Sequence, residues 1–319
     1  MTGTFFSMSA GFFLALVCAP FLFGIINRVK AFCGGRQGRP LLQMYFDIYK
    51  LWGKTPVYPY STSWVFRLGP LVNVAAVLLV LCFVPFGGNR PFFSFTGDFV
   101  LVAGLFAMMR FSLVLGALDT GSAFEGMGAA REALFGAMAE PILLLVMVCL
   151  AYHSGEASLA SMIGSLELDQ WVAKWPVFIL LCLGLFLLLL VENCRIPADD
   201  PNTHLELTMI HEVMILDHSG PELALIEYAS SLKLWLFCQI IASLLLPSLG
   251  GTLLFQSAPV GSPAALFLHM GAMVLLICFL AALVGLVESS MARLRMERVP
   301  QIMTLAASFT CLAALMLWR

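Results

Sequence analysis

Apolar runs long enough to cross a bilayer recur along the chain, and they limit what it can fold into more than any other feature. A span needs about 20 apolar residues to cross about 30 Å of hydrocarbon. Eight runs qualify: 5–27, 67–89, 96–118, 133–155, 174–192, 226–249, 264–287 and 299–318. In lipid the backbone must satisfy its own hydrogen bonds, which leaves helices or closed barrels. Barrel strands would alternate polar and apolar residues, and these runs do not. The expected fold is therefore all-α, a polytopic integral membrane protein read as one membrane domain over 1–319. Composition agrees: of 319 residues, 61% are hydrophobic and 11% charged, where a soluble domain is nearer half and a quarter. That balance excludes a soluble enzyme, a secreted disulfide scaffold and a disordered tail. The net charge of −2 points to no nucleic-acid partner. Nine cysteines, mostly inside apolar runs, include no CxxC pair, so no zinc or iron–sulfur ligand set is visible. The first run has no basic residues before it and no small-residue cleavage site, and reads as a span rather than a signal peptide.

Basic residues orient the chain. Of the 17 Lys and Arg residues, all but Arg90, Lys174 and Arg319 fall with the odd-numbered loops. These loops should be cytoplasmic, with both termini on the far side of the inner membrane. Within the first loop, Leu41, Leu42, Tyr45, Phe46, Ile48, Tyr49 and Trp52 form an apolar face opposite Gln43, Asp47, Lys50 and Lys54. The spacing predicts a short amphipathic helix near 40–54 lying in the interface, either as an anchor, a brace or a chamber wall. The fifth loop, 193–225, is acidic on the side where basic residues prevail, and its apolar residues imply that it packs against something.

Charges inside spans are costly and point to function. Arg110 lies in the third run and Glu140, before Pro141, in the fourth, with Arg131 two to three turns upstream. They read as an internal ion pair or as parts of a charge relay. Glu192, Arg195, Asp199, Asp200 and Glu206 crowd the end of the fifth run, and Glu212, Asp217, Glu227 and Lys233 follow. Close carboxylates repel and favour proton uptake. His204, His211 and His218 repeat every seven residues. That rise of about 10.5 Å on a helix is too long for one metal ion to bridge, so no metal site is expected, and a proton-exchange or hydrogen-bonding role fits better.

The segment Glu192-Asn-Cys-Arg195-Ile-Pro197-Ala-Asp199 resembles the E-x-x-R-x-P-F-D signature of the complex I subunit 1 family. Gly34 to Lys54 is similar to its glycine-rich turn and amphipathic helix. Asp119-Thr-Gly-Ser-Ala-Phe-Glu-Gly-Met-Gly-Ala-Ala-Arg131-Glu and Glu288-Ser-Ser-Met-Ala-Arg293-Leu-Arg295 resemble segments of its hydrogenase branch, that of formate hydrogenlyase, hydrogenase-4 and other group 4 [NiFe]-hydrogenases. The resemblance covers nearly the whole chain in order. It implies an eight-helix coupling subunit of an ion-translocating oxidoreductase that is not catalytic alone. Its partners would be hydrophilic hydrogenase-like large and small subunits, iron–sulfur subunits and antiporter-like membrane subunits. The [NiFe] and iron–sulfur clusters would sit in those partners, with none bound by this chain. The charge-relay and arm-docking residues it implies are drawn from those named above, with Glu288, Arg293 and Arg295 added. Two family glutamates are replaced by Asn202 and His204, and the phenylalanine after the proline is Ala198. These departures count against a quinone site of the complex I kind. A quinone-reducing complex I subunit is the alternative; a stand-alone transporter would show internal repeats, and none is visible.

Overall fold

The computed structural model describes residues 2–166, 168–199, 209–249 and 263–318. Among them are no strands and eight helices long and apolar enough to span a membrane. These are α1 (Thr2–Cys33), α3 (Trp64–Phe83), α4 (Asp98–Asp119), α5 (Ala123–Ser154), α8 (Trp175–Glu192), α10 (Gly220–Leu245), α11 (Pro263–Ser290) and α12 (Val299–Trp318). Between them lie α2 (Gln43–Trp52) and the short connectors α6 (Leu159–Gly164), α7 (Leu168–Ala173) and α9 (His211–Met214).

Helix ends depart from the apolar runs where local chemistry intervenes. The second run begins at 67, yet α3 starts at Trp64 because its first amides are capped. Ser63 Oγ accepts from the Val65 N–H, and the Asp119 carboxylate accepts from Ser63 N–H at 2.6 Å and Phe66 N–H at 3.3 Å. The helix stops at Phe83, short of Pro85, which has no N–H to donate. The fourth run begins at 133, but α5 starts ten residues earlier, at Ala123. Its polar first turns are held by protein rather than lipid: Glu125 accepts from Asp217 N–H at 3.1 Å, and Arg131 donates to the Met209 carbonyl at 2.8 Å. The sixth run begins at 226, whereas α10 starts at Gly220 and ends at Leu245.

The hub of the bundle is α10. Of its most apolar window 78% is buried, and it packs against α1, α2, α3, α8 and α11. Leu234, Trp235, Leu236, Phe237, Cys238 and Ile240 are fully enclosed. Outside this ring, α4 lies between α3 and α5, and α12 packs on α8 and α5. Lipid is as apolar as these side chains, so close packing and interhelical hydrogen bonds hold the bundle.

Polar ties gather at two opposite faces. One face joins Ser63 to Asp119, Tyr58 to Glu222, Lys30 to Glu288 and Leu294 to Pro197. The other joins Asp98 to Leu159, Gln239 to Pro85 and Trp171 to Leu244. The interfacial helix α2 belongs to the first face and packs on α1 and α10. The Tyr45 hydroxyl donates to the Val17 carbonyl. A side chain on Gly24 would overlap the Leu41 carbonyl oxygen, so α1 must be bare where the chain enters α2. Phe46, Tyr49 and Trp52 remain exposed, as an interfacial helix requires.

Asp98 is fully buried at the opposite face. Its carboxylate accepts from Leu159 N–H at 2.6 Å and from the Ser158 hydroxyl at 3.1 Å. Truncating it strands two donors, a loss worth about 2 kcal/mol. Asp98→Ala should therefore lower the denaturant midpoint of the detergent-solubilised chain, and Asp98→Asn should recover part of the loss. Equal midpoints for wild type and Asp98→Ala would show that this tie carries no stability.

Candidate functional site

A buried ion network joins four spans. Arg110, on α4, is only 7% exposed. Its guanidinium donates to Glu140 of α5 at 2.8 Å and to Glu192 of α8 at 2.5 Å, and lies 3.6 Å from Glu132 of α5. The other oxygen of Glu192 lies 2.8 Å from the Lys233 ammonium of α10, which also donates to the Glu192 carbonyl at 2.7 Å. Three carboxylates thus face two cations. The arrangement depends on Gly136: any Cβ there would overlap the Arg110 guanidinium.

A cavity of about 50 Å³ opens beside the network, lined by Asn73, Arg110, Glu132, Glu192, His211 and Lys233 among others. One water needs about 10–15 Å³ of such space, so there is room for a short water chain. The Asn73 side-chain oxygen is buried without a protein partner. His211, at the start of α9, sits on the cavity wall. Loss of solvation, aided by the Lys233 ammonium and opposed by Asp199, pushes it down to about 4. Burial pushes the neighbouring Cys194 thiol well up, so it is unreactive at neutral pH.

One turn further on, a second network ties the end of α8 to the ends of α1 and α11. Glu288, buried on α11, meets Lys30 at 2.8 Å and Arg195 at 3.5 Å. The Arg195 guanidinium also lies over the Phe23 ring, 4.2 Å from its centre. Asp199 accepts from Arg293 at 2.6 Å and from Ile210 N–H at 3.0 Å. The four-residue segment from Glu192 to Arg195 connects the two networks.

The sequence-derived candidates distribute as follows. Arg110, Glu140, Glu192 and Lys233 form the first network; Arg195, Asp199, Glu288 and Arg293 form the second. Glu227 is on α10 within electrostatic reach of Glu212, Arg195 and Asp47. Arg131, upstream of Glu140, instead turns to Met209 and Met127. Asp217 is exposed, with its backbone on Glu125, and Arg295 is exposed. Asp200 and Glu206, like His204, lie outside the described residues. His211 and His218 do not share a helix: α9 ends at Met214, and His218 stacks on Phe66 at 3.9 Å between centres. Among the described residues no group of three His, Cys, Asp or Glu side chains is arranged to hold a metal ion. Glu132 and Asn73 were not anticipated. Glu132 carried a signal, since it follows Arg131 two turns before Glu140; Asn73 is an ordinary polar residue in an apolar run.

The comparisons with known proteins agree with this architecture. A sequence model of the family described as NADH dehydrogenase matches residues 7–318. Formate hydrogenlyase subunit 4 of Escherichia coli (strain K12) is 29% identical over 295 residues, 92% of each chain. Hydrogenase-4 component C of the same organism is 29% identical over 300 residues, 94% of this chain and 91% of its own. A chain of the membrane-bound sulfane sulfur reductase, an archaeal respiratory membrane complex, shares the fold with a TM-score of 0.77. That match covers 98% of this chain and 99% of that one, at 18% identity.

His218 gives the site a measurable pH signature. It is 4% exposed, and burial pushes it from 6.5 to about 4, so its 3.4 Å contact with Glu222 joins a neutral ring at neutral pH. A histidine lowered in the folded state contributes stability fully above pH 6.5, and that stability is lost as pH falls toward 4. By pH 4.5 the loss is about 2.5 kcal/mol. In detergent, wild type should lose about that much more stability between pH 7.5 and pH 4.5 than His218→Leu. Parallel pH profiles would show that His218 titrates normally.

Proposed function

The chain belongs to the NADH dehydrogenase family, and from that premise we propose that it is the coupling subunit of an ion-translocating oxidoreductase of the formate hydrogenlyase or group 4 hydrogenase kind. It is a membrane subunit of a respiratory-type complex. One observation carries the finer reading: Glu192, at the junction of span and loop, is shared between Arg110 and Lys233 inside the bundle.

In this reading the hydrophilic large, small and iron–sulfur subunits carry the [NiFe] and iron–sulfur centres and dock on the cytoplasmic face, where Lys30, Arg195, Asp199 and Arg293 lie. Electron transfer in that arm changes charge or conformation at the segment after α8. The change reaches Arg195 and then Glu192. Three carboxylates against two cations let the inner network hold one exchangeable proton and stay neutral. Glu132, the most loosely held of the three at 3.6 Å from Arg110, is where that proton rests; when it moves to Glu192, Arg110 and Lys233 turn toward the freed carboxylate, so the proton's position and the cations' partners change together. Charge interactions are strong in this low-dielectric setting, and the change passes through Glu140 toward antiporter-like membrane subunits. The inner membrane holds the complex, with both termini of this chain on the non-cytoplasmic side.

The test uses the purified complex in sealed liposomes. Glu140→Gln and Glu192→Gln should each lower ion translocation per electron at least about fivefold, while the subunits still co-purify and redox turnover in detergent is kept. Gly136→Ala, which displaces the Arg110 guanidinium without removing a charge, should act in the same direction. Unchanged translocation in both glutamine variants would remove the mechanism.

A further inference from the structure

The turn between α3 and α4 lies at the face opposite the Glu288 network and is held from several sides. Gln239 of α10 donates to the Val84 and Pro85 carbonyls at 3.4 and 3.0 Å. Phe93 N–H donates to the Cys82 carbonyl at 3.2 Å, and Asn89 N–H to the Phe86 carbonyl at 3.0 Å. The Phe92 ring meets Phe12 of α1 edge-on, 5.6 Å between centres.

This fixed turn presents two donors that the chain itself does not use. The Asn89 side-chain nitrogen is buried without a protein hydrogen-bond partner, which is unfavourable unless something from outside the chain fills it. Arg90, next to it, is exposed and makes no ion pair or hydrogen bond among the described residues. It is retained on the side where basic residues are scarce. No acid occurs from 84 to 97, and Asp98 is committed to Leu159 and Ser158.

Both donors border a cavity of about 20 Å³ whose other walls include Met8, Phe12, Leu81 and Val84. A water-sized group needs about 10–15 Å³, so one oxygen fits inside. The cavity ends a cleft. Helices α1 and α3 each pack along α10, and among the described residues they make no comparable contact with each other. Phe92, Phe93 and Phe95 of the turn are exposed, as is Phe13 beside Phe12. Exposed apolar rings favour lipid over water, which sets the mouth of the cavity where headgroup meets acyl chain.

We propose that this cavity is a site for the headgroup of an anionic phospholipid. One phosphate oxygen enters and accepts from the Asn89 side-chain nitrogen, Arg90 pairs with the phosphodiester charge at the mouth, and an acyl chain lies in the cleft between α1 and α3. The donor set and the cleft together select this occupant. Water fills the hydrogen bond of Asn89 but brings no charge to Arg90. Free phosphate brings charge but gains nothing from the apolar cleft. A zwitterionic headgroup carries its own ammonium, which Arg90 repels. The inference goes beyond the coupling reading and does not rest on it.

The experiment places the full chain, with the subunits that co-purify, in nanodiscs of phosphatidylglycerol and phosphatidylcholine in equal amounts. Phe92 is replaced by p-benzoylphenylalanine, and mass spectrometry reads which lipid ultraviolet light joins to it. Phosphatidylglycerol should be favoured about fivefold, the ratio that one basic side chain gives at a membrane surface. Arg90→Gln should bring the two lipids to parity. Asn89→Asp, which replaces a donor by a carboxylate of the same shape, should do the same, and Arg90→Lys should keep part of the preference. The ratio is read within one sample, so the yield of each variant does not affect it. Parity in the wild type, a preference that Arg90→Gln leaves unchanged, or a product formed only with a protein subunit overturns the site. A preference abolished by excess inorganic phosphate, but not by chloride at the same ionic strength, assigns the cavity to a free anion and overturns the lipid.

Discussion

An arginine placed inside the hydrocarbon sets the terms for the rest of this structure. Arg110 does not lose its charge in any accessible pH range, so the fold must bring acceptors to it. It does so from three directions: Glu132 and Glu140 on α5 and Glu192 on α8. Three carboxylates then need more positive charge than one guanidinium supplies, and Lys233 enters from α10. Four spans are thereby registered along their lengths by ion pairs, which in lipid act where the hydrophobic effect between helices does not.

The same requirement shapes backbone that carries no charge. Gly136 leaves room for the guanidinium against α5. The end of α8 at Glu192 lets one carboxylate meet both cations, and the turn that follows carries Arg195 into the second network with Glu288. Electrostatic change at the loop therefore has a short covalent route into the bundle. The cavity beside Asn73 and His211 gives the same place room for water, which a purely structural ion pair does not require.

Much of this was legible in the sequence, for reasons that differ by residue. Arg110 and Glu140 stood out because each interrupts an apolar run, and Glu192 to Asp199 because their charges crowd one span end. Glu132 escaped because hydropathy began the fourth span at 133; α5 in fact continues to Ala123, its polar turns held by protein. The partner of Glu140 was not readable either. Sequence proximity favoured Arg131, whereas Arg131 turns toward Met209 and Arg110 comes from another helix. The central position of α10 was invisible for a related reason: hydropathy measures apolarity and does not separate side chains facing lipid from those facing protein. Lys233 and Gln239 are tolerated on that helix because neighbours satisfy them.

Position in the bundle then decides how each charge can act. The second network, at the loop-side ends of α1, α8 and α11, pairs Arg195 and Lys30 with Glu288 and Arg293 with Asp199; it lies where spans meet loops. The first network is deeper and carries one carboxylate more than its cations neutralise. Surplus negative charge in a low-dielectric interior is compensated by a proton or by a charge from outside the chain. The exposed flank of Glu140 is where an outside charge can reach it. A proton on the network and a cation brought to that flank would answer the same surplus charge, so either one lowers the need for the other.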